Sequence, residues 1–304
     1  MVSETLALIP FGYALAYAIY GGVEFGLPLL AFSNDKRVKA EAGFGLRWES
    51  VNLLLGLALG SAVLLFPAAV EPLENELKWY VIIAAVLLVA RFALIAWNRM
   101  SPGESVWIKW VLAGVSLLLP AVMALGVVVL LTGDGYVLHH PELALSLAVA
   151  APLLAVAVSG GFFYKSGTVL RTMARRGYLA AGIWTAVTLP LALVLDPTVL
   201  EGRNLLEVSW PLMVALALGL PILMWQGRLR YFLASAVLIT GFATVLYRLL
   251  SPYVMRPFVR MDAASAENVM QVAVVVAFIV SFFFVFPFLE KVMTWATSER
   301  EAIR

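Results

Sequence analysis

The sequence predicts an all-α, polytopic membrane protein, and three observations carry that prediction. Mean hydropathy is +0.94 and 62% of the 304 residues are hydrophobic. Only 13% are charged, about half of the roughly 25% usual in soluble domains. Apolar runs of about 20 residues, the length a helix needs to cross a hydrocarbon core of about 30 Å, follow one another with short connections. No polar stretch is long enough to hold a water-soluble domain, so residues 1–304 are expected to form one integral membrane domain. The net charge of +2 argues for no nucleic-acid partner.

The runs divide into nine expected spans: 6–32, 50–70, 79–98, 107–132, 143–164, 178–195, 209–226, 231–250 and 269–290. The first follows Met1-Val2-Ser3-Glu4, which lacks the basic region of a cleaved signal peptide and is expected to be retained. The longest polar connections are 33–49, 196–208 and 251–268. Prolines 28, 120, 152, 190, 221 and 287 fall inside spans, where neighbouring helices can re-satisfy the carbonyls they free. Gly56 and Gly60, four apart, would suit a close helix contact.

Lys and Arg asymmetry sets the orientation. Fifteen of the 21 basic residues fall on the side shared by the 1–2, 3–4, 5–6 and 7–8 connections and the C-terminus. Five fall on the other side, and Arg91 lies inside a span. This split places the N-terminus outside and the C-terminus in the cytoplasm, and it requires an odd number of spans.

The chain has no cysteine, which excludes disulfides, iron–sulfur clusters, thiolate zinc sites and covalent c-type haem. It has two histidines, His139 and His140, adjacent in the 4–5 connection. Adjacent histidines diverge, so they are read as polar loop residues rather than a haem pair, and no metal site is expected. No P-loop, dinucleotide fingerprint, zincin motif or hydrolytic triad occurs.

The candidate functional residues are ionisable groups inside the spans. A charge at bilayer depth costs roughly 3 kcal/mol even on mild insertion scales and is usually functional. Glu24 stands among glycines in Gly21-Gly22-Val23-Glu24-Phe25-Gly26, roughly 12 Å above the cytoplasmic end of the first span at 1.5 Å per residue. Arg91 stands roughly 10 Å above the same end of the third, so the two can pair. Tyr20 is an alternative partner for Glu24. Glu49 opens the second span beside Arg47 and Trp48, where a helix N-terminus favours a carboxylate in any case. Burial disfavours the charged form of a carboxylate, the property a proton carrier uses. Glu24 and Glu49 are therefore read either as steps in a proton path from the cytoplasm or as structural anchors. Arg91 is read as structural support.

The segment Tyr20-Gly21-Gly22-Val23-Glu24-Phe25-Gly26-Leu27, a basic loop, and then Arg47-Trp48-Glu49-Ser50-Val51-Asn52 resembles subunit II of cytochrome bd-type terminal oxidases. That family carries a Gly-aromatic-Asp-hydrophobic-Gly motif late in its first helix and His-Trp-Asp-Gly-Asn at the start of its second. The motif carboxylates fall on Glu24 and Glu49, the tryptophan on Trp48, the asparagine on Asn52, and Arg47 stands in place of the histidine. Lys165-Ser166-Gly167-Thr168-Val169-Leu170-Arg171 is similar to the family's cytoplasmic turn after helix 5. The resemblance implies two four-helix bundles plus one peripheral helix in a bacterial or archaeal plasma membrane. It implies a heterodimer with a subunit I that carries haem b and haem d and oxidises quinol. Small accessory subunits are compatible with it. Subunit II would contribute carboxylates to a proton path and could hold a structural quinone or lipid. Two other readings fit the residues without the resemblance: a secondary transporter with a Glu24/Arg91 site, and a haem-free, quinone-binding membrane anchor of a reductase.

Overall fold

The computed structural model describes residues 2–30, 48–100, 106–163, 168–200, 203–225, 230–257, 259–281 and 283. A short α1 (Val2–Leu6) leads into α2 (Leu8–Leu30). There follow α3 (Trp48–Leu65), α4 (Val70–Met100), α5 (Val106–Thr132), α6 (Pro141–Phe162), α7 (Thr168–Leu195), α8 (Leu205–Met224) and α9 (Arg230–Leu250). Among the described residues, seven helices are long and apolar enough to cross a membrane, with two shorter apolar helices at 51–65 and 268–280. The chain is thus an all-α, multi-pass membrane protein.

The third and sixth spans begin earlier than hydropathy placed them, at Val70 and Thr168 rather than 79 and 178. Charged and polar residues at those ends extend each helix beyond its apolar run, because a helix satisfies its backbone internally whatever the solvent. The second span ends earlier, at Leu65, where Phe66 leaves the helical conformation ahead of a 3-10 turn at Pro67–Ala69. The ninth expected span falls partly outside the described residues.

The 251–268 connection is structured. β1 (Tyr253–Met255) pairs antiparallel with β2 (Val259–Arg260), and α10 (Met261–Ala264) and α11 (Asn268–Val280) follow. This small cap ties helix ends together: the Arg256 N–H donates to Leu130 O at 2.9 Å and the Ala266 N–H to Leu65 O at 2.8 Å.

Two hydrophobic clusters meet at α2. One joins Val23 and Leu27 to residues of α5 through α9, such as Leu147, Val158, Leu189 and Leu238. The other joins Tyr13, Tyr17 and Phe25 to α3, the cap and Val274 of α11. By contrast, α4 is mostly exposed: only 6% of its apolar window is buried. It is fastened at one level by Glu76, which accepts from the Gly135 N–H at 3.0 Å, and by Tyr80, which donates to Gly135 O at 2.9 Å. At the other level it is fastened by Arg91.

Among the described residues the predicted Gly56–Gly60 contact does not form. A Cβ at either position would meet nothing within 4 Å, and both glycines are exposed. The close contact belongs to Gly22 and Gly26, on α2. A Cβ at Gly22 would lie 2.7 Å from Val158 Cγ1, and one at Gly26 would lie 2.6 Å from Ala155 O. Small residues four apart on both helices, Gly22/Gly26 and Ala155/Ser159, let the backbones approach, as membrane helix pairs commonly do.

Candidate functional site

The close approach of α6 matters because it encloses the segment that holds the carboxylate. Every residue from Gly21 to Pro28 is buried, Glu24 to 4% exposure and Arg91 to 1%. The structure brings these two together: Arg91 Nη2 lies 3.6 Å from Glu24 Oε2. That separation is longer than the 2.7–2.9 Å usual for a charge-assisted hydrogen bond.

The direct hydrogen bonds of Arg91 go elsewhere. Its Nη2 donates to the backbone oxygen of Glu24 at 3.0 Å, and its Nε to Ser116 Oγ at 3.1 Å. The guanidinium also lies 5.5 Å from the centre of the Phe25 ring, within cation–π range. The Glu24 carbonyl is available for a covalent reason. In a helix it would accept from the N–H of residue 28, and residue 28 is proline, which has none. Pro28 frees one carbonyl, and Arg91 fills it. Pro120 likewise removes the helical partner of the Ser116 carbonyl, on the residue whose hydroxyl accepts from Arg91. The same device recurs on α8, where Pro211 frees the Glu207 carbonyl and Arg248 Nη1 donates to it at 2.9 Å.

This arrangement has a chemical consequence. Arginine stays protonated across the accessible pH range, so a buried arginine needs acceptors at all times. Two of those for Arg91 are neutral oxygens, and a third partner is an aromatic face. These contacts do not depend on the charge of Glu24, while Nη1, buried without a hydrogen-bond partner among the described residues, lies in the field of the carboxylate. A carboxylate so placed can change protonation while Arg91 keeps these two oxygen acceptors, although the pair's charge balance then changes by one.

Tyr20, expected as a partner for Glu24, is 54% exposed and does not join the site. The buried tyrosine on this side of α2 is Tyr17, 6% exposed, with its ring 6.1 Å from that of Phe25. Helical phase explains the exchange. At 3.6 residues per turn, Tyr17 lies about 20° from the direction of Glu24. Tyr20 lies about 40° off on the other side, which faces out of the bundle at that level.

Glu49 and Trp48 stand in the first turn of α3, but their side chains are outside the described residues, as is Arg47. Asn52 is half-buried one turn further on. Lys165, Ser166 and Gly167 also lie outside the described residues.

His139 and His140 sit at the opposite end of the bundle from Arg91's level. His139 Nδ1 lies 2.5 Å from Asp134 Oδ2, and His140 Nδ1 lies 2.5 Å from Asp196 Oδ2. The hydrogen bond from His139 holds the Asp134 carboxyl below the usual carboxylate range. The second pair joins the start of α6 to the end of α7. Two histidines held by carboxylates at a helix-end connection do not fit an axial haem pair inside the spans. Among the described residues no group of three or more His, Asp or Glu gathers in a way that could hold a metal ion.

Sequence reasoning missed Arg256, which counted as an ordinary loop cation. It is 2% exposed. It donates to Leu249 O at 2.8 Å and also to Val199 O, and its guanidinium lies 5.7 Å from the Tyr253 ring centre. Arg203 similarly donates to the carbonyls of Arg248 and Ser251. The available signal was the two X-Pro steps flanking Arg256, at Pro252 and Pro257, which mark a turn rather than a solvated chain.

No protein-family model matches this chain, and no curated protein does. Among solved structures it is similar to a chain of the bd oxidase from Geobacillus thermodenitrificans, with a TM-score of 0.77 and 20% sequence identity. The match covers 96% of this chain and 98% of that one. At that identity the likeness is one of fold, so the chain has a bd-oxidase-like membrane fold.

Proposed function

We propose that this chain is the haem-free, subunit II-type component of a bd-type quinol:oxygen oxidoreductase, with nine spans and the N-terminus outside. The observation that carries the reading is the whole-length fold likeness to a chain of a bd oxidase. The buried Glu24–Arg91 pair supports it, because it lies on the very motif that resembles the family. Haem b and haem d would reside in a homologous partner subunit in the same bacterial or archaeal plasma membrane. Those haems supply the electron transfer and oxygen chemistry.

In this reading Glu24 receives a proton from the cytoplasmic side, by way of Glu49 at the start of α3, and passes it toward the partner. Arg91 holds Glu24 in place through its own backbone carbonyl and keeps its charge compensated throughout. Phe25, Val23 and the close α2–α6 contact exclude bulk water, so that protons move through the carboxylate rather than around it.

The test is purification through a tag on this chain from its native membrane, with a reduced-minus-oxidised spectrum. Copurifying b- and d-type haem with quinol-dependent oxygen consumption is the expected result. A haem-free chain, stable without a partner, would overturn the reading. Copurification with an iron–sulfur protein would move it to the reductase anchor.

A further inference from the structure

One face of α7 changes character along its length. Leu179, Ile183, Val187 and Leu191, spaced four apart, are all about half-exposed, as befits a span that meets acyl chains. Over the next two turns toward Thr168 the exposed residues become Arg176, Arg175, Thr172 and Arg171. The change marks the depth at which hydrocarbon gives way to headgroups.

At that depth a groove of about 460 Å³ opens between α6 and α7, lined by Val156, Thr172, Met173, Arg176, Gly177 and Ala180. Gly177 forms part of its floor, where the missing side chain lets α7 pack closely on α6. A Cβ there would sit 3.2 Å from Ala157 Cα and 3.5 Å from Val156 Cγ1. The groove is therefore an apolar slot with a hydroxyl and a guanidinium among its walls.

We propose that this groove is a binding site for an anionic phospholipid. One acyl chain lies along Val156, Met173, Gly177 and Ala180. The headgroup phosphate meets Arg176, in the positive field of Arg171 and Arg175. Charge selects the headgroup: a zwitterionic lipid brings its own cation into a turn already holding three, whereas a net anion does not. The apolar slot selects a lipid over a free phosphate, which has nothing to place there. Basic sites between helices at the membrane surface gain roughly fivefold in binding for each arginine near an anionic headgroup. The site lies apart from Glu24 and Arg91 and does not depend on the oxidase reading.

Native mass spectrometry of the full chain, with any copurifying partner, tests this. The detergent-solubilised protein is titrated with equal amounts of dioleoyl phosphatidylglycerol and dioleoyl phosphatidylcholine. Phosphatidylglycerol is expected to be retained at least about fivefold more. Arg175→Gln with Arg176→Gln should bring the ratio near one. Ala180→Phe, an exposed position, should fill the slot and abolish the preference with every charge in place. Lys109→Gln, a basic residue on α5, should leave the preference intact. A wild-type ratio near one would overturn the proposal. A preference that survives Ala180→Phe would reduce it to general surface charge and overturn the groove.

Discussion

Arg91 and Arg256 are two fully buried arginines solved in different ways. Each donates to at least one backbone oxygen, since a buried cation without acceptors costs several kcal/mol. Arg256 takes oxygens that exist because helices stop: Leu249 O near the end of α9 and Val199 O in the turn after α7. Arg91 takes an oxygen in the middle of a helix, which exists because Pro28 removes its partner. The comparison teaches where function can enter. A helix-end arginine closes a cap and fixes the connection. A mid-span arginine held by neutral oxygens can also stand beside a carboxylate whose charge comes and goes.

The largest effect belongs to Arg91. Arg91→Leu strands the Glu24 carboxylate and its carbonyl together, and breaking a buried pair from one side costs roughly 3–5 kcal/mol. Loss of the assembled protein from the membrane, read by immunoblot and thermal stability, is expected. Arg256→Met removes donors from helix-end carbonyls, for roughly 1–3 kcal/mol. It should lower the melting temperature while leaving proton uptake by any assembled complex unchanged. An Arg256 variant that assembled normally but slowed proton uptake would erase the distinction between the two arginines.

Pro28→Ala probes the same difference with a smaller change in stability. The new N–H competes for the Glu24 carbonyl and drives Arg91 toward the carboxylate. Stability should stay within about 1 kcal/mol, because the restored helical bond offsets the displaced one. Proton uptake should slow on the order of tenfold for each 1.4 kcal/mol of added preference for the charged form. Uptake unchanged beside an intact fold would show that the carbonyl does not govern the pair.

The smallest effect lies at the other end of the bundle. Asp134 titrates below its ordinary range in the folded protein, so its contribution is complete above that range. It is lost only as pH falls through the depressed folded value. Its side chain and that of His139 are partly exposed, and solvent screening keeps the contribution well under about 1 kcal/mol. Asp134→Asn should therefore change stability slightly at neutral pH and not at all in strong acid, by thermal melts across pH.

Much of this was legible in the sequence. Hydropathy located the helices, and matching depths put Glu24 beside Arg91. The choice of Tyr17 over Tyr20 was legible too, but only with helical phase, since both lie within a turn or two of Glu24. The role of Pro28 was present in the spacing of four to Glu24, yet spacing alone does not show which neighbour supplies the donor. Gly22 and Gly26 looked no different from Gly56 and Gly60, because a glycine pair marks a permissible contact and only the opposing helix decides whether it is made. Arg256 was hidden by a polar-looking connection that folds back onto three helix ends.

The central proposal is that Glu24 carries protons for oxygen reduction by a partner complex. Proton uptake during turnover of the purified complex, compared for the wild type and Glu24→Gln, tests it most directly. The glutamine keeps the shape and the backbone carbonyl that Arg91 holds, so assembly and haem content should be retained. Uptake is expected to slow by roughly a hundredfold, the lower end of what a positioned proton donor contributes. Assembled Glu24→Gln complex with wild-type uptake at every pH would contradict the account and leave Glu24 a structural partner of Arg91.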